Sequence, residues 1–159
     1  MLNPISVGPQ VGYYKASDAD NPSVMSGATL RLRLANAIAV EASINYRREY
    51  YHNEAISLKS WPVLLTVLLY PVRYIYGMAG VGWYNSRIAY SKDLNLFGNK
   101  SSQKFGWHFG AGVEMPFTKK VKLATDFRYT FLNYDFGVPG TKNISSDYFL
   151  MSAGLFFKL

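Results

Sequence analysis

The chain has 159 residues, a formal net charge of +7, 17% charged residues and 16% aromatic residues. This length corresponds to one domain, so residues 1–159 are expected to fold as a single domain. The sequence contains no run of about 20 apolar residues, which excludes a transmembrane helix. Because cysteine is absent, there is neither a disulfide framework nor a thiolate metal site. No cofactor is expected.

The first three predicted strands alternate between apolar and polar residues, the pattern of strands with two unlike faces. They cover approximately residues 4–15, 25–34 and 38–47. Only three residues separate the second strand from the third, so a tight hairpin is expected. In the simplest register Arg31 lies directly opposite Glu41, where opposite charges stabilise the strand pair.

The fourth and fifth predicted strands, at about 58–70 and 73–84, are less regular. One face of the fourth strand is apolar, but the other face also contains leucine residues. Pro62 has no amide hydrogen, so it requires a bulge or an unpaired position in the ladder. A short turn at 70–72 is expected to connect the two strands.

The sixth and seventh predicted strands, 105–115 and 121–131, form the most regular hairpin of the chain. One face of this hairpin carries large aromatic residues, whereas the other carries mostly small or charged ones. We expect Gly110 and Gly112 to leave space for the longer side chains of Asp126 and Lys122 across the hairpin. The eighth predicted strand follows at about 147–159 and alternates in the same way.

The order of the connections predicts the architecture. Longer segments follow strands one, three, five and seven, and short turns follow strands two, four and six. All longer connections therefore fall at one end of the sheet, as in outer-membrane barrels with long extracellular loops and short periplasmic turns. The fold prediction is all-β: an eight-stranded antiparallel up-and-down transmembrane β-barrel.

Volume and charge predict which face lies inside. The interior of an eight-stranded barrel is just wide enough for side chains, so the bulky apolar set would overfill it and the glycine-rich polar set fits. The alternative is a soluble lipocalin-like barrel that binds an apolar ligand, with its apolar face inward. The predicted lumen charge network is Arg31, Arg33, Glu41, Arg47, Glu114, Lys122, Asp126 and Arg128. The predicted lipid-facing and girdle residues are Tyr13, Tyr46, Trp61, Trp83, Trp107, Phe109, Phe127, Tyr129, Phe149 and Phe157.

Residues 106–114, the short turn and residues 123–130 resemble the small OmpA-like and OmpX-like outer-membrane barrels. The chain end with Gly154, Phe157 and Leu159 resembles their C-terminal assembly signal, although the usual final residue is Phe or Tyr. The resemblance covers essentially the whole chain and implies a bacterial outer-membrane location and recognition by the barrel-assembly machinery. No signal peptide is visible at the first residues, so an exported chain would be present here in mature form.

His108 is the candidate catalytic residue, because barrels of this family include lipid A-modifying enzymes. A Ser-His-Glu hydrolase needs its three groups within hydrogen-bond reach. Glu114 is about 20 Å away along the strand, and Gly110 occupies the position that such an enzyme gives to serine. We therefore predict no enzymatic activity and a lumen His108 that is hydrogen-bonded to a neighbour.

The charged residues suggest two further roles. The lumen set could form a narrow ion or small-solute pore, but eight strands leave little room for water, and we favour a salt-bridged plug. Cations near the longer connections could bind lipopolysaccharide phosphates. This set is Arg47, Arg48, Arg87, Lys92, Lys100 and Lys104, whereas Lys119, Lys120 and Lys158 lie at the opposite end.

The predicted role is structural or surface interaction. Membrane lipid is the expected partner, with lipopolysaccharide as a candidate, and the chain is expected to be a monomer. Nucleic-acid binding requires aromatic and basic side chains on one face. Here the two classes occupy opposite faces, so no nucleic-acid partner is expected.

Overall fold

The computed structural model describes residues 5–16, 22–51, 56–90, 101–134, 144–145 and 147–159. Within these ranges the chain forms strands only. They are β1 (Ile5–Ala16), β2 (Ser23–Arg33), β3 (Ile38–Tyr51), β4 (Ile56–Val72), β5 (Ile75–Tyr90), β6 (Ser101–Pro116), β7 (Val121–Tyr134), β8 (Ile144–Ser145) and β9 (Tyr148–Lys158). Among the described residues, no helix is long and apolar enough to cross a membrane.

Each of β1 to β7 pairs antiparallel with the next strand, and β9 pairs with both β7 and β1, which closes the barrel. The two residues of β8 only extend the pairing of β7. Following the register partners around the wall from Arg33 leads back to β2 at Ser23, a displacement of ten residues that gives the strands their tilt. The predicted eight-stranded antiparallel barrel is confirmed.

Three short turns lie at one end of the barrel, at residues 34–37, 73–74 and 117–120. We call this end the turn end and the opposite one the loop end. In the first turn the amide of Leu34 donates to the carbonyl of Ile38 at 3.0 Å. This turn sets the predicted register, in which Arg31 pairs with Glu41.

The strands extend further toward the loop end than predicted. Segments 48–57, 85–103 and 132–146 were expected to be loops, but β3 continues to Tyr51, β5 to Tyr90 and β7 to Tyr134. Backbone pairing needs no apolar side chain, and polar rungs such as Ser60 opposite Ser86 continue the ladder. These strands are longer than the 9–11 residues that a strand needs to span a bilayer.

Three details of the hairpins also differ from expectation. The β4–β5 turn is at residues 73–74 rather than 70–72. Pro62 causes no register shift between β3 and β4; the ladder simply omits the rungs of Asn45 and Tyr46. Gly110 lies opposite Arg128, and Gly112 opposite Asp126, because Pro116 pairs with Lys122 in the ladder instead of lying in the turn.

Candidate functional site

Side chains separate cleanly between the lumen and the outer wall. The predicted lumen residues have at most about a quarter of their side chain exposed. The predicted lipid-facing residues lie on the outer wall, together with most other large apolar side chains. In the predicted assembly signal, Gly154 faces the lumen, whereas Phe157 and Leu159 face outward. The lumen and the wall are therefore two separate candidate sites.

Glu41 on β3 is the centre of the lumen network. Its Oε2 accepts a hydrogen bond from Arg31 Nη2 at 2.5 Å, and its Oε1 accepts one from Arg128 Nη2 at 2.8 Å. Glu41 is 1% exposed and Arg128 is 1% exposed. A carboxylate bound by two guanidinium groups compensates the cost of burying these charges. The contact between Glu41 and Arg128 crosses the lumen.

Glu114 on β6 binds several cationic side chains at the turn end. Its Oε2 accepts from Arg31 Nη1 at 2.6 Å, and its Oε1 accepts from Arg33 Nη2 at 3.1 Å. The Lys122 ammonium also binds Oε1, and the Tyr70 hydroxyl donates to Oε2 at 3.0 Å. Each oxygen of this carboxylate therefore accepts two hydrogen bonds at the turn-end mouth of the lumen.

Asp126 on β7 completes the network. Its carboxylate accepts hydrogen bonds from Arg128 Nε at 2.8 Å and from the Ser152 hydroxyl at 2.8 Å. The Tyr76 hydroxyl approaches it at 3.4 Å. This approach requires glycine on the paired strand, because a Cβ at position 112 would lie 2.6 Å from the Tyr76 hydroxyl. The small residues of β6 therefore make room for the network.

The loop-end half of the lumen contains mainly aromatic and aliphatic side chains. A cluster that we call the tyrosine layer consists of Tyr14, Met25, Leu64, Tyr84, Leu132, Tyr148 and Leu150, all buried. The guanidinium carbon of Arg47 lies 5.2 Å from the ring centres of Tyr14 and Tyr148 and 5.8 Å from that of Tyr84. Such contacts stabilise a cation by its attraction to the ring faces. The layer therefore places rings and leucines around Arg47 in the loop-end half of the lumen.

The structure corrects one part of the expected loop-end cation set. Arg47 is 7% exposed inside the tyrosine layer, so it is not a surface cation. Alternation directs its side chain inward, where the rings enclose it. Lys104 is half-buried. The side chains of Arg48 and Arg87, and the whole of Lys92 and Lys100, lie outside the described residues.

His108 is buried in the lumen between the two halves. Its Nε2 lies 2.9 Å from the Thr66 hydroxyl. Gly80 provides the space, because a Cβ there would lie 2.8 Å from the same nitrogen. Within the described ranges, no three His, Asp or Glu side chains converge as a metal site. The geometry of His108 is that of a packed lumen side chain.

The outer wall carries an aromatic cluster on β6, β7 and β9. Trp107 stacks on Phe131 with ring centres 4.2 Å apart, and Tyr129 packs edge-on against Phe149 at 4.7 Å. Phe109 contacts both Tyr129 and Phe131. Aromatic rings at the membrane–water boundary anchor barrels in lipid.

The sequence analysis did not identify the structural role of the lumen tyrosines. Among the described residues, five tyrosines line the lumen, and their positions alternate in step with the polar residues of their strands, which was the available signal. Their hydroxyls and rings either bond to the charge network or enclose Arg47. They are Tyr14, Tyr70, Tyr76, Tyr84 and Tyr148.

Comparisons with known proteins agree with this geometry. The family profile described as "Outer membrane protein beta-barrel domain" matches residues 3–157. Among curated proteins, no sequence matches significantly.

Solved structures of outer-membrane proteins share the fold. Neisserial surface protein A (NspA) aligns with a TM-score of 0.69 and 15% identity, over 98% of this chain and 97% of that one. The attachment invasion locus protein Ail of Yersinia pestis, in complex with the heparin analogue sucrose octasulfate, aligns with a TM-score of 0.56 and 17% identity, over 96% of each chain. OprG of Pseudomonas aeruginosa aligns with a TM-score of 0.59 and 11% identity, over 98% and 96%.

Proposed function

Because the chain belongs to the outer membrane protein beta-barrel domain family, we propose that it is a closed barrel that acts through its surface rather than through its lumen. It is an outer-membrane protein of the bacterial envelope. The proposed role is passive: the wall holds the barrel in lipid, the lumen is plugged, and the loop end presents a binding surface.

The side chains inside the barrel are the observation that supports this proposal. Glu41, Glu114 and Asp126 are bound by arginine and lysine side chains across the turn-end half. The tyrosine layer occupies the other half. An eight-stranded barrel has room for side chains and little else. A plugged barrel is a rigid base for loops, since its strands cannot collapse inward or separate without breaking the network.

The proposed surface ligand is an anionic glycan, with lipopolysaccharide as the candidate in this membrane. The proposed binding groups are Arg48, Arg87, Lys92 and Lys100, which the sequence places in or near the longer connections, and such groups pair well with phosphate or sulfate oxygens. The solved complex of Ail with a heparin analogue supports this class of ligand.

Binding of lipopolysaccharide by the protein in nanodiscs tests this proposal. The loop-end variant changes these four cations to glutamine, and the control variant changes Lys119, Lys120 and Lys158 to glutamine. We expect the loop-end variant to lose about tenfold or more in affinity for phosphorylated lipopolysaccharide, with the control unchanged. Equal affinity of the wild type and the loop-end variant, or no preference for phosphorylated over dephosphorylated lipopolysaccharide, would contradict the proposal.

We further propose that the protein is a monomer without catalytic activity. Among the described residues His108 is hydrogen-bonded to Thr66 and to no carboxylate that would orient its ring, and Gly110 occupies the position that a Ser-His-Glu hydrolase gives to serine. An altered lipid A mass on expression would reveal an enzyme instead.

The proposed assembly signal is Gly154, Phe157 and Leu159. Replacing Leu159 with Phe should speed assembly by the barrel-assembly machinery, measured as the folded fraction after a pulse of synthesis.

A further inference from the structure

Three lysines converge at the turn end, and no role described above uses them. The amide nitrogen of Lys158, at the end of β9, donates to the carbonyl of Lys120 at 2.8 Å. The Lys158 ammonium donates to the carbonyl of Lys119 at 3.4 Å. We call these three residues the turn-end basic cluster. The end of β9 therefore lies against the β6–β7 turn, and the three lysines belong to one part of the barrel rim.

The turn that carries two of these lysines is held in one conformation. The Thr118 hydroxyl accepts hydrogen bonds from the amides of Lys120 and Val121, at 3.3 and 3.0 Å. The amide of Phe117 donates to the carbonyl of Val121 at 2.9 Å. The backbone of the cluster is therefore ordered before any ligand binds, which lowers the entropic cost of binding.

Among the described residues, no acidic side chain forms an ion pair with a lysine of the turn-end basic cluster. Arg33 and Lys122 lie nearby, and Lys122 is close enough to Lys158 and Arg33 to be repelled by both. Within the described turn end, Glu114 is the one acidic side chain; it is 4% exposed and already bound by arginine and lysine. Like charges held together cost stability. An external anion is the group that would offset this cost.

The cluster lies where membrane headgroups are expected. In outer-membrane barrels the short turns are periplasmic, so the cluster meets the inner leaflet. Phe117, two residues before Lys119, is 73% exposed at the tip of the turn, as an interfacial anchor would be. We propose that the turn-end basic cluster binds the phosphate groups of anionic phospholipids in the periplasmic leaflet. This site lies opposite the proposed loop-end surface and is independent of it.

Lipid selectivity measured by electron spin resonance tests the proposal. The wild type and two variants are refolded into phosphatidylcholine vesicles that contain trace spin-labelled phosphatidylglycerol or spin-labelled phosphatidylcholine. The test variant is K119Q/K120Q/K158Q, and the matched control is K15Q/K59Q/K104Q, three lysines nearer the loop end. All three proteins should keep the compact unboiled band on SDS gels, which shows that the barrel is folded.

We expect the wild type to restrict phosphatidylglycerol more than phosphatidylcholine, with this preference lost at high salt. The preference should fall about threefold or more in the test variant and remain in the control. An unchanged preference in the test variant, or an equal fall in both variants, would overturn the proposal. Loss of binding to purified peptidoglycan with unchanged lipid preference would also overturn it, because it would assign the cluster to a periplasmic polymer. None of these outcomes depends on lipopolysaccharide binding at the loop end.

Discussion

The turn-end half of the lumen contains a network of ion pairs, whereas the loop-end half contains rings and leucines. In the turn-end half each charge depends on a particular partner, as Glu41 does on Arg31 and Arg128. In the loop-end half Arg47 is enclosed by three rings at 5.2–5.8 Å. Charged contacts buried in a barrel demand an intact set of partners, but apolar packing tolerates the loss of one contact. The two halves should therefore respond differently to the same substitution.

Replacing an arginine with methionine in each half separates them most strongly. Arg128→Met leaves Glu41 and Asp126 without a shared cation, so we expect a loss of about 3–5 kcal/mol in the free energy of unfolding. Arg47→Met keeps an apolar side chain among the rings and should cost only about 1–2 kcal/mol. Urea unfolding in lipid vesicles, followed by tryptophan fluorescence, measures both. Equal losses would mean that the halves are energetically alike.

Substitutions around Glu114 test the turn-end mouth. Glu114→Gln removes the carboxylate shared by Arg31, Arg33 and Lys122, and should destabilise the barrel by about 2–3 kcal/mol. Lys122→Met is the control; because Lys122 is partly exposed, it should cost less than about 1 kcal/mol. The same urea titrations measure both losses. A larger loss for Lys122→Met than for Glu114→Gln would show that the Glu114 carboxylate is not the main stabilising group at this mouth.

Substitutions of Gly112, on the lumen side of the wall, and of Gly77, on the outer side, compare how tightly the two sides are packed. Gly112→Val would push against Tyr76 and Asp126 and should cost about 1–3 kcal/mol. A Cβ at Gly77 would meet nothing within 4 Å, so Gly77→Val should change the stability by less than about 0.5 kcal/mol. Unfolding midpoints of the two variants check this difference. An unchanged midpoint for Gly112→Val would show that the network can accommodate a larger side chain at this position.

The outer aromatic cluster should give the smallest effect. Phe131→Leu keeps an apolar side chain but loses the stacking on Trp107 at 4.2 Å, worth about 1 kcal/mol. Phe157→Leu is the matched control on the same wall, since no contact with another described ring is found for Phe157, and its effect should be smaller. Unfolding curves measure both variants. Equal losses of stability for Phe131→Leu and Phe157→Leu would show that the aromatic cluster has no stabilising role of its own.

Alternation and turn positions were enough to predict the fold, the two faces and the pairing of Arg31 with Glu41. They could not predict that Glu41 also binds Arg128. These residues are 87 positions apart on strands that are not neighbours, and their contact depends on strand tilt and barrel width. Likewise, alternation could not reveal that the ring of Tyr84 would enclose Arg47. Strand ends were missed because polar rungs continue the ladder without an apolar signal.

Electrical recording across a planar lipid bilayer tests the closed lumen most directly. The folded protein, identified by its compact unboiled band on SDS gels, is inserted at a known density and the current is recorded at both voltage signs. A lumen filled by the charge network and the tyrosine layer predicts no sustained single-channel steps above the lipid background. Regular, long-lived steps of uniform size from the wild-type protein would contradict the account and make the barrel a pore.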